Sequence, residues 1–544
     1  MDFIYSFTVA LFLTIALVPP LIRAAPALGL MDLPDARKVH ARAIPRSGGL
    51  AIALGVLGSL VLVVRIPLVA PWSGMLLGAA VIVFFGLLDD RRNLSYQWKF
   101  AGQVIAVLLA MYGGAIIDRC PLMGLDTAPV WITWPLTFGF LLGATNAVNL
   151  SDGLDGLAAG TIVLALAALG VLALLSGQWL HLLMAVTLIG GVLGFLRYNT
   201  HPAQVFMGDA GSQFLGFMTA VLAVLIVQSP EVPVSPVLPL LVLGLPILDT
   251  LMVMVVRIAR GRSPFQPDRN HIHHQLIDLG FRHYEAVAVI YVLQLIIIGL
   301  GFLLRYEHDA ILLAAYGAFA GTVLAALMLG RFSGWQLRPE TEDPLRERRN
   351  RLLRKLGWFY HYSPHVIQLL AAGFFIIVAL LLRPLQGDNL LLAWGLAPLL
   401  VIFLLASRRW PAWMTRFTCY STAVLLSYLL SRDALIAAWL PWLHGYLVVM
   451  VIVLALAIRM TRREQFRLDT QDLLILLLIL CVPLLPLENG LGGGLGGQSV
   501  GEVALRLAVL MYSCEFLIGR TGGRGLLPLS CAAASSVLLL AVFH

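Results

Sequence analysis

The stretch that decides the fold is NLSDGLDGLAAGTIVLALAALGVLALL, residues 149–175. An amide and two carboxylates lie at its start, and an apolar run that is long enough to cross a bilayer as a helix follows them. Charged side chains are costly in hydrocarbon, so the polar segment belongs at a membrane face and the apolar run belongs inside the membrane.

Apolar runs of this kind recur along the whole chain of 544 residues, which is 60% hydrophobic and 12% charged. A typical soluble protein carries about twice that charged fraction. We therefore predict an all-α protein, a polytopic integral membrane helical bundle of about 18 transmembrane helices. One of the predicted spans runs over residues 236–256.

The basic residues indicate the orientation of the bundle. Most Lys and Arg side chains fall in alternate loops, and basic loops resist translocation, so these loops are predicted to face the cytoplasm and both termini to lie outside. The net charge of +8 reflects this distribution, and we expect no nucleic acid partner.

A long basic segment suggests a division of the chain into three parts. We predict a core over residues 1–330 with about 11 transmembrane helices, a basic cytoplasmic linker over 331–364, and an additional membrane domain over 365–544 with about 7 helices. The polar motifs fall in the first part, and the function of the last part is not indicated.

Carboxylates recur in the loops that are predicted to be cytoplasmic. Asp89 and Asp90 end one span, Asp152 and Asp155 lie in the quoted stretch, and Asp209 lies in FMGDAGS. Each has a plain alternative as a helix cap or a turn residue. Together on one membrane face, however, clustered carboxylates usually hold a metal or share a proton, and oxygen ligands favour Mg²⁺ or Mn²⁺ over zinc.

Basic side chains are concentrated in the same set of loops. The candidates are Lys38 and Arg46 in DARKVHARAIPRSGG, Lys99 at a span entrance, and Arg269, His271, His273 and His274 in RIARGRSPFQPDRNHIHHQLIDLG. Guanidinium groups and imidazoles suit phosphate oxygens, although a histidine metal site remains an alternative. A carboxylate metal site beside phosphate-binding cations is typical of phosphoryl transfer, here between a nucleotide and a lipid.

These motifs together resemble the polyprenyl-phosphate N-acetylhexosamine-1-phosphate transferase superfamily, of the glycosyltransferase family 4 type. The matching stretches are DARKVHARAIPRSGGLAI, GLLDDRRNLSYQWK, NAVNLSDGLDGLAAG, FMGDAGSQFLG, LPILDT and SPFQPDRNHIHHQL, which cover about residues 1–330. The HIHH element resembles the branch that uses UDP-GlcNAc. The resemblance implies that N-acetylhexosamine 1-phosphate passes from the UDP-sugar to undecaprenyl phosphate and releases UMP.

The resemblance also implies roles for individual residues. It gives Asp209 and Asn149 as Mg²⁺ ligands, and Asp89 and Asp90 as the catalytic pair. It places Asp152 and Asp155 near the uridine, with Asp155 on the uracil. It assigns the remaining basic candidates to the substrates: Lys38, Arg46, Lys99, Arg269, His271, His273 and His274.

The setting that the resemblance implies is the bacterial inner membrane, with a cytoplasmic active site that initiates O-antigen, lipopolysaccharide or another cell-wall polysaccharide. A homodimer and a downstream glycosyltransferase or flippase are the protein partners that we consider. The alternatives are UDP-MurNAc-pentapeptide as the donor, or a lipid-linked sugar transporter or flippase. Transporter sites lie near the membrane midplane, whereas these motifs lie in loops, which favours the enzyme.

Overall fold

The structure is a computed structural model of the 544-residue chain. It describes residues 2–33, 43–64, 66–67, 69–119, 128–229, 234–261, 263, 270–337, 357–381, 439–460 and 500–521, with a few single helical positions between 419 and 474. The chain divides into two compact units, one of residues Met1–Pro339 with Asp469–Leu474, and one of the remainder. The division into three parts that the sequence suggests stays a prediction.

The described part of the first unit is built almost entirely of helices. They are α1 (Asp2–Leu28), α2 (Gly48–Ser59, continued by a π-helical turn Leu60–Val64), α3 (Trp72–Arg92), α4 (Tyr96–Tyr112), α5 (Val130–Ser151), α6 (Leu157–Leu175), α7 (Trp179–Asn199), α8 (Gly208–Gln228), α9 (Leu238–Val242), α10 (Gly244–Ala259), α11 (Ile272–Asp278), α12 (His283–Leu303) and α13 (Asp309–Phe332). One two-residue strand pair, β1 (Met31–Asp32) with β2 (Ile44–Pro45), accompanies them.

Within the described residues, 7 helices are long and apolar enough to cross a membrane. They are Tyr5–Leu28, Trp72–Arg92, Leu157–Leu175, Trp179–Asn199, Gly208–Gln228, His283–Leu303 and Asp309–Phe332. The chain is thus an all-α, multi-pass membrane protein, as predicted. The count of 18 spans and the outward orientation of both termini stay predictions, because predicted spans such as 389–406 and 526–543 lie outside the described residues.

Helix α8 is the centre of the first unit and is buried along almost its whole length. It packs against α2, α3, α5 and α6. Small residues let the backbones meet at its first turn: a Cβ added to Gly49 would lie 2.2 Å from the Gly211 nitrogen, and one added to Gly86 would lie 2.4 Å from Ala210 Cα. This close packing brings the amino end of α8 against the carboxyl end of α3, where the aspartate motifs lie.

The predicted span 236–256 is a broken helix rather than a single one, with α9 ending at Val242 and α10 beginning at Gly244. Pro246 explains the break, because it has no N–H to donate to the Val242 carbonyl. The buried Gln294 of α12 replaces that bond by donating to the Val242 oxygen at 2.7 Å, and Tyr316 donates to the Gly244 oxygen at 3.0 Å. Freed backbone groups are tolerated at membrane depth only when they are satisfied in this way.

The segment between β2 and α2 forms backbone hydrogen bonds with the loop ahead of α8. Phe206 N donates to Pro45 O at 2.7 Å, Gly48 N to Phe206 O at 3.0 Å, and Gly49 N to Met207 O at 2.8 Å. Arg46 lies within this paired segment. The pairing therefore carries Arg46 from the first polar loop to the amino end of α8.

The second unit is described for α14 (Gly357–Leu381), α15 (Leu440–Met460) and α16 (Val500–Thr521). These helices share an apolar core that includes Phe374, Phe375, Met450, Leu510 and Phe516. Burial of such aromatic and aliphatic side chains explains how they pack together.

Candidate active site

A cavity of about 1040 Å³ opens where α3, α4, α5 and α8 meet the loops at their ends. Its walls include many of the residues that the sequence analysis selected: Arg46, Asp89, Asp90, Lys99, Asn149, Asp152, Asp155, Asp209 and His274. Lys38 and Arg269 lie outside the described residues. The structure thus brings together side chains from five separate stretches of the chain.

Lys99 bridges two carboxylates in this cavity. Its ammonium group forms an ion pair with Asp89 Oδ2 and lies 3.1 Å from Asp209 Oδ2. The other oxygen of Asp89 accepts a hydrogen bond from Leu94 N at 2.7 Å. This bond forms because Asn93 ends α3 in the left-handed conformation, with a φ of 47°, and turns the chain back toward Asp89.

Asp90 has different partners, although it is adjacent to Asp89 in the chain. Its two carboxylate oxygens accept from Asp209 N at 2.9 Å and from Ala210 N at 3.1 Å, so it caps the first turn of α8. Gly208 has a φ of +69°, and a Cβ there would lie 2.5 Å from Asp90 Oδ2. The catalytic role of Asp90 stays a prediction, and its contacts show that it holds the backbone that carries Asp209.

Asn149 lies beside the same turn of α8. Its amide oxygen accepts from Ser212 Oγ at 2.5 Å, and Ser212 is one helical turn beyond Asp209. The cavity wall therefore offers carboxylate and amide oxygens from α5 and α8, and the described lining residues include no cysteine. This donor chemistry fits a hard divalent cation such as Mg²⁺ or Mn²⁺.

Asp155 lies on another wall and is held by residues that the sequence analysis did not select. His201 Nδ1 lies 2.7 Å from Asp155 Oδ2, and Ala203 N donates to the same oxygen at 3.1 Å. His283 Nε2 lies 3.3 Å from the Asp155 carbonyl oxygen, and its ring stacks on that of His201 with 4.2 Å between centroids. The sequence offered only a weak signal, since each histidine stands alone beside a motif.

Asp152 also lines this cavity. Burial, together with the charges of Asp209 and Asp155, raises the pKa of Asp152 to about 7. Near neutral pH the carboxyl group is therefore protonated in a large share of molecules, and it can donate a hydrogen bond as well as accept one.

The three histidines of HIHH have three different environments. His274 lines the cavity, whereas His271 and His273 are buried and are not among its described lining residues. Burial, reinforced by His274 and His271, lowers the pKa of His273 far below its usual value. A neutral ring does not attract phosphate by charge, so a cationic role for His273 is not supported by its surroundings.

His271 is instead held by Asp249, the aspartate of LPILDT. Asp249 Oδ2 lies 2.7 Å from His271 Nδ1, and Asp249 Oδ1 accepts from Ile272 N at 2.6 Å. Both side chains are buried. The sequence analysis quoted LPILDT but assigned Asp249 no role, because its partner lies 22 residues further along the chain.

We expect Asp249→Asn to weaken the docking of α11 on α10. An asparagine keeps a single acceptor oxygen. Its NH₂ group therefore either faces the Ile272 N–H, which loses its acceptor, or forces the His271 ring into the tautomer whose Nδ1 is an acceptor. Such a loss costs about 1–3 kcal/mol. Thermal unfolding of the detergent-purified protein measures it, and Asp278→Asn, at an exposed site at the end of α11, is the control. Equal midpoints for both variants would contradict the role of Asp249.

Comparison with known proteins agrees with this site. Residues 72–227 match the family model "Glycosyl transferase family 4". A "Probable undecaprenyl-phosphate N-acetylglucosaminyl 1-phosphate transferase" of Bacillus subtilis (strain 168) is 38% identical over 296 residues, which is 54% of this chain and 82% of that protein. The "Decaprenyl-phosphate N-acetylglucosaminephosphotransferase" of Mycobacterium leprae (strain TN) is 37% identical over 288 residues, 47% of this chain and 72% of that protein.

A third relative is the "Undecaprenyl-phosphate alpha-N-acetylglucosaminyl 1-phosphate transferase" of Escherichia coli (strain K12). It is 30% identical over 301 residues, 53% of this chain and 79% of that protein. About half of this chain thus aligns with most of each relative. The chain belongs to glycosyl transferase family 4, within the superfamily of polyprenyl-phosphate N-acetylhexosamine-1-phosphate transferases.

Proposed function

We propose that this protein transfers N-acetylglucosamine 1-phosphate from UDP-GlcNAc to undecaprenyl phosphate, and that it yields undecaprenyl-diphosphate-GlcNAc and UMP. The observation that carries the proposal is the bridge of Lys99 between Asp89 and Asp209 inside a cavity of a membrane enzyme of this family. The names of the three relatives indicate the transferred group, N-acetylglucosamine phosphate, and the acceptor, a polyprenyl phosphate.

The reaction is a displacement at the β-phosphorus of UDP-GlcNAc. An oxygen of the lipid phosphate forms the new bond, the bond from the β-phosphorus to the bridging oxygen breaks, and UMP leaves with that oxygen. Asp89 is well placed to orient the lipid phosphate, because Leu94 N and Lys99 hold its carboxylate in one position. Lys99 supplies positive charge at the point where phosphate oxygens must gather.

Asp209 and Asn149 are the residues that would hold Mg²⁺, with Mn²⁺ as a substitute. When bound, the ion neutralises the charge that builds up on the diphosphate. The proposal is supported by the oxygen donors that α5 and α8 present side by side, which Ser212 ties together.

The remaining lining residues suit the two substrates. Asp155 offers an oxygen to the uracil, and Asp152 stands next to it. Arg46, anchored by its ion pair with the buried Asp32, faces the diphosphate together with His274. Lys38 and Arg269 are proposed for the same anionic groups on sequence grounds alone.

We place the enzyme in the bacterial inner membrane, with about 18 spans, both termini outside and the cavity toward the cytoplasm. The basic loops support this orientation. The product starts O-antigen, lipopolysaccharide or another surface polysaccharide. The enzyme is proposed to form a homodimer, and the segment after the core is proposed either to bind a downstream glycosyltransferase or flippase or to enlarge the helical bundle.

The direct test is a donor panel with purified protein, undecaprenyl phosphate and Mg²⁺, in which released UMP is measured. We expect release with UDP-GlcNAc that requires both the lipid phosphate and the metal. UDP-MurNAc-pentapeptide and other UDP-N-acetyl sugars are the comparison donors. No UMP from any of these donors would refute the proposal, and preference for another donor would change the sugar.

Radiolabelled UMP separates the direct displacement from a route through a covalent aspartyl-phosphosugar. Without lipid phosphate, the direct route exchanges no label into UDP-GlcNAc, whereas the covalent route does. We expect no exchange, because both oxygens of Asp89 are already engaged by Leu94 N and Lys99.

A further inference from the structure

Three amide side chains lie one helical turn beneath three residues of the cavity wall. The pairs are Lys99 with Gln103 on α4, Asn149 with Asn146 on α5, and Asp209 with Gln213 on α8. Side chains three or four residues apart share one face of a helix. We refer to Gln103, Asn146 and Gln213 as the amide cluster, and none of its members is among the described residues that line the cavity.

The amide cluster is joined by hydrogen bonds across the three helices. Gln103 is its centre: its Nε2 donates to Asn146 Oδ1 at 3.2 Å and to Gln213 Oε1 at 3.0 Å. Its oxygen accepts from Asn146 Nδ2 at 2.8 Å, so Gln103 and Asn146 form a reciprocal pair. Gln103 and Gln213 are each only 3% exposed.

Amides are a costly way to fill such a position. Apolar side chains of the same size would pack among these helices without needing partners, while an amide that loses its partner inside the bundle is penalised. What amides add is direction, because their hydrogen bonds form at only one relative height and rotation of the helices. Buried polar residues are known to fix register in helical assemblies in this way.

We propose that the amide cluster is a positioning device, which sets α4, α5 and α8 in the one register that brings Lys99, Asn149 and Asp209 together. Each cluster residue is rigidly linked to its site residue by a single helical turn. A slip of one helix would therefore break the cluster and separate the site residues in the same step. Its consequence for turnover rests on the proposed transfer reaction, whereas its consequence for metal binding rests only on the proposed metal site at Asp209 and Asn149.

Gln103→Leu and Gln213→Leu test the device. We expect kcat for UMP release to fall at least about tenfold, with KM for UDP-GlcNAc changed less than about twofold, because no cluster residue lines the cavity. We also expect the affinity for Mn²⁺, measured by electron paramagnetic resonance on the substrate-free protein, to fall at least about tenfold.

Gln178→Leu is the matched control, since Gln178 is a buried glutamine that donates to Ile226 O at the opposite end of α8. It should lower the thermal midpoint as the cluster variants do while kcat and Mn²⁺ affinity stay near wild type. If the cluster variants keep kcat and Mn²⁺ affinity as well, the amides only stabilise the fold and the proposal is overturned.

A double variant that restores both amides tests whether the effect of a single variant comes from the lost hydrogen bonds rather than from misfolding. Gln103→Asn combined with Asn146→Gln keeps both amides and the total length of the reciprocal pair. We expect this double variant to recover more kcat and Mn²⁺ affinity than Gln103→Asn alone, and no recovery would count against positioning. If the wild type releases no UMP, the proposed function fails, and the Mn²⁺ titrations still decide the role of the cluster.

Discussion

Asp209→Asn is expected to abolish the transfer of sugar phosphate, with a loss of UMP release of at least about 10³-fold. The change removes one of the two negative charges that Lys99 contacts, and it replaces a carboxylate metal ligand by a weaker amide ligand. The backbone contacts of Asp209 with Asp90 remain, so the fold at the amino end of α8 is preserved. UMP release from UDP-GlcNAc and undecaprenyl phosphate measures the effect.

Metal affinity and thermal stability distinguish a lost metal ligand from a destabilised fold. Mn²⁺ titration of the substrate-free variant should show weakened binding, while the thermal midpoint of the metal-free protein stays close to that of the wild type. If the variant still releases UMP and its activity still depends on Mg²⁺, Asp209 is not a required metal ligand.

Substitutions of the two adjacent aspartates at the end of α3 should have different effects. Asp89→Asn is expected to lower turnover by about 10²–10⁴-fold, because the lipid phosphate loses the carboxylate proposed to deprotonate or orient it, with a small change in the thermal midpoint. The reason is that Asp89 forms its ion pair with Lys99 inside the cavity.

Asp90→Asn should mainly lower stability. Its carboxylate accepts from two backbone N–H groups of α8, and an asparagine can satisfy only one of them with its oxygen. The other buried donor then meets an NH₂ group, at a cost of about 1–3 kcal/mol. We therefore expect a clear drop in the thermal midpoint, and more remaining activity than in Asp89→Asn when both are assayed well below that midpoint. Equal losses of activity at equal stability would instead make Asp90 a partner in the chemistry.

The candidate residues could be found from the sequence because each motif is local. Asp89 ends an apolar run, Asp209 sits between glycines, and Asp155 follows Asn149 within one short stretch. A charged residue at the end of a hydrophobic run can be recognised without knowing its spatial neighbours, because the cost of burying charge in hydrocarbon excludes it from the middle of a membrane span.

The partners of these residues could not be found in the same way. Asp249 and His271 share a buried side-chain contact, and His201 and His283 flank Asp155, but nothing in the spacing along the chain links them. A similar limit applies to the predicted span 236–256. Hydropathy indicates that the segment is long and apolar enough for one span, whereas the Val242 carbonyl that Pro246 leaves without a donor is satisfied by Gln294 of α12.

By itself, the sequence determined that this is a polytopic helical membrane protein and which side chains are candidates for phosphoryl transfer, because hydropathy and local motifs depend only on residue type and order. Only the tertiary structure decided which of two neighbouring aspartates faces Lys99 and which one caps α8. The capping role of Asp90 is set by contacts with Asp209 N and Ala210 N, which lie 119 and 120 positions further along the chain. Those contacts arise from helix packing, which no single stretch of sequence encodes.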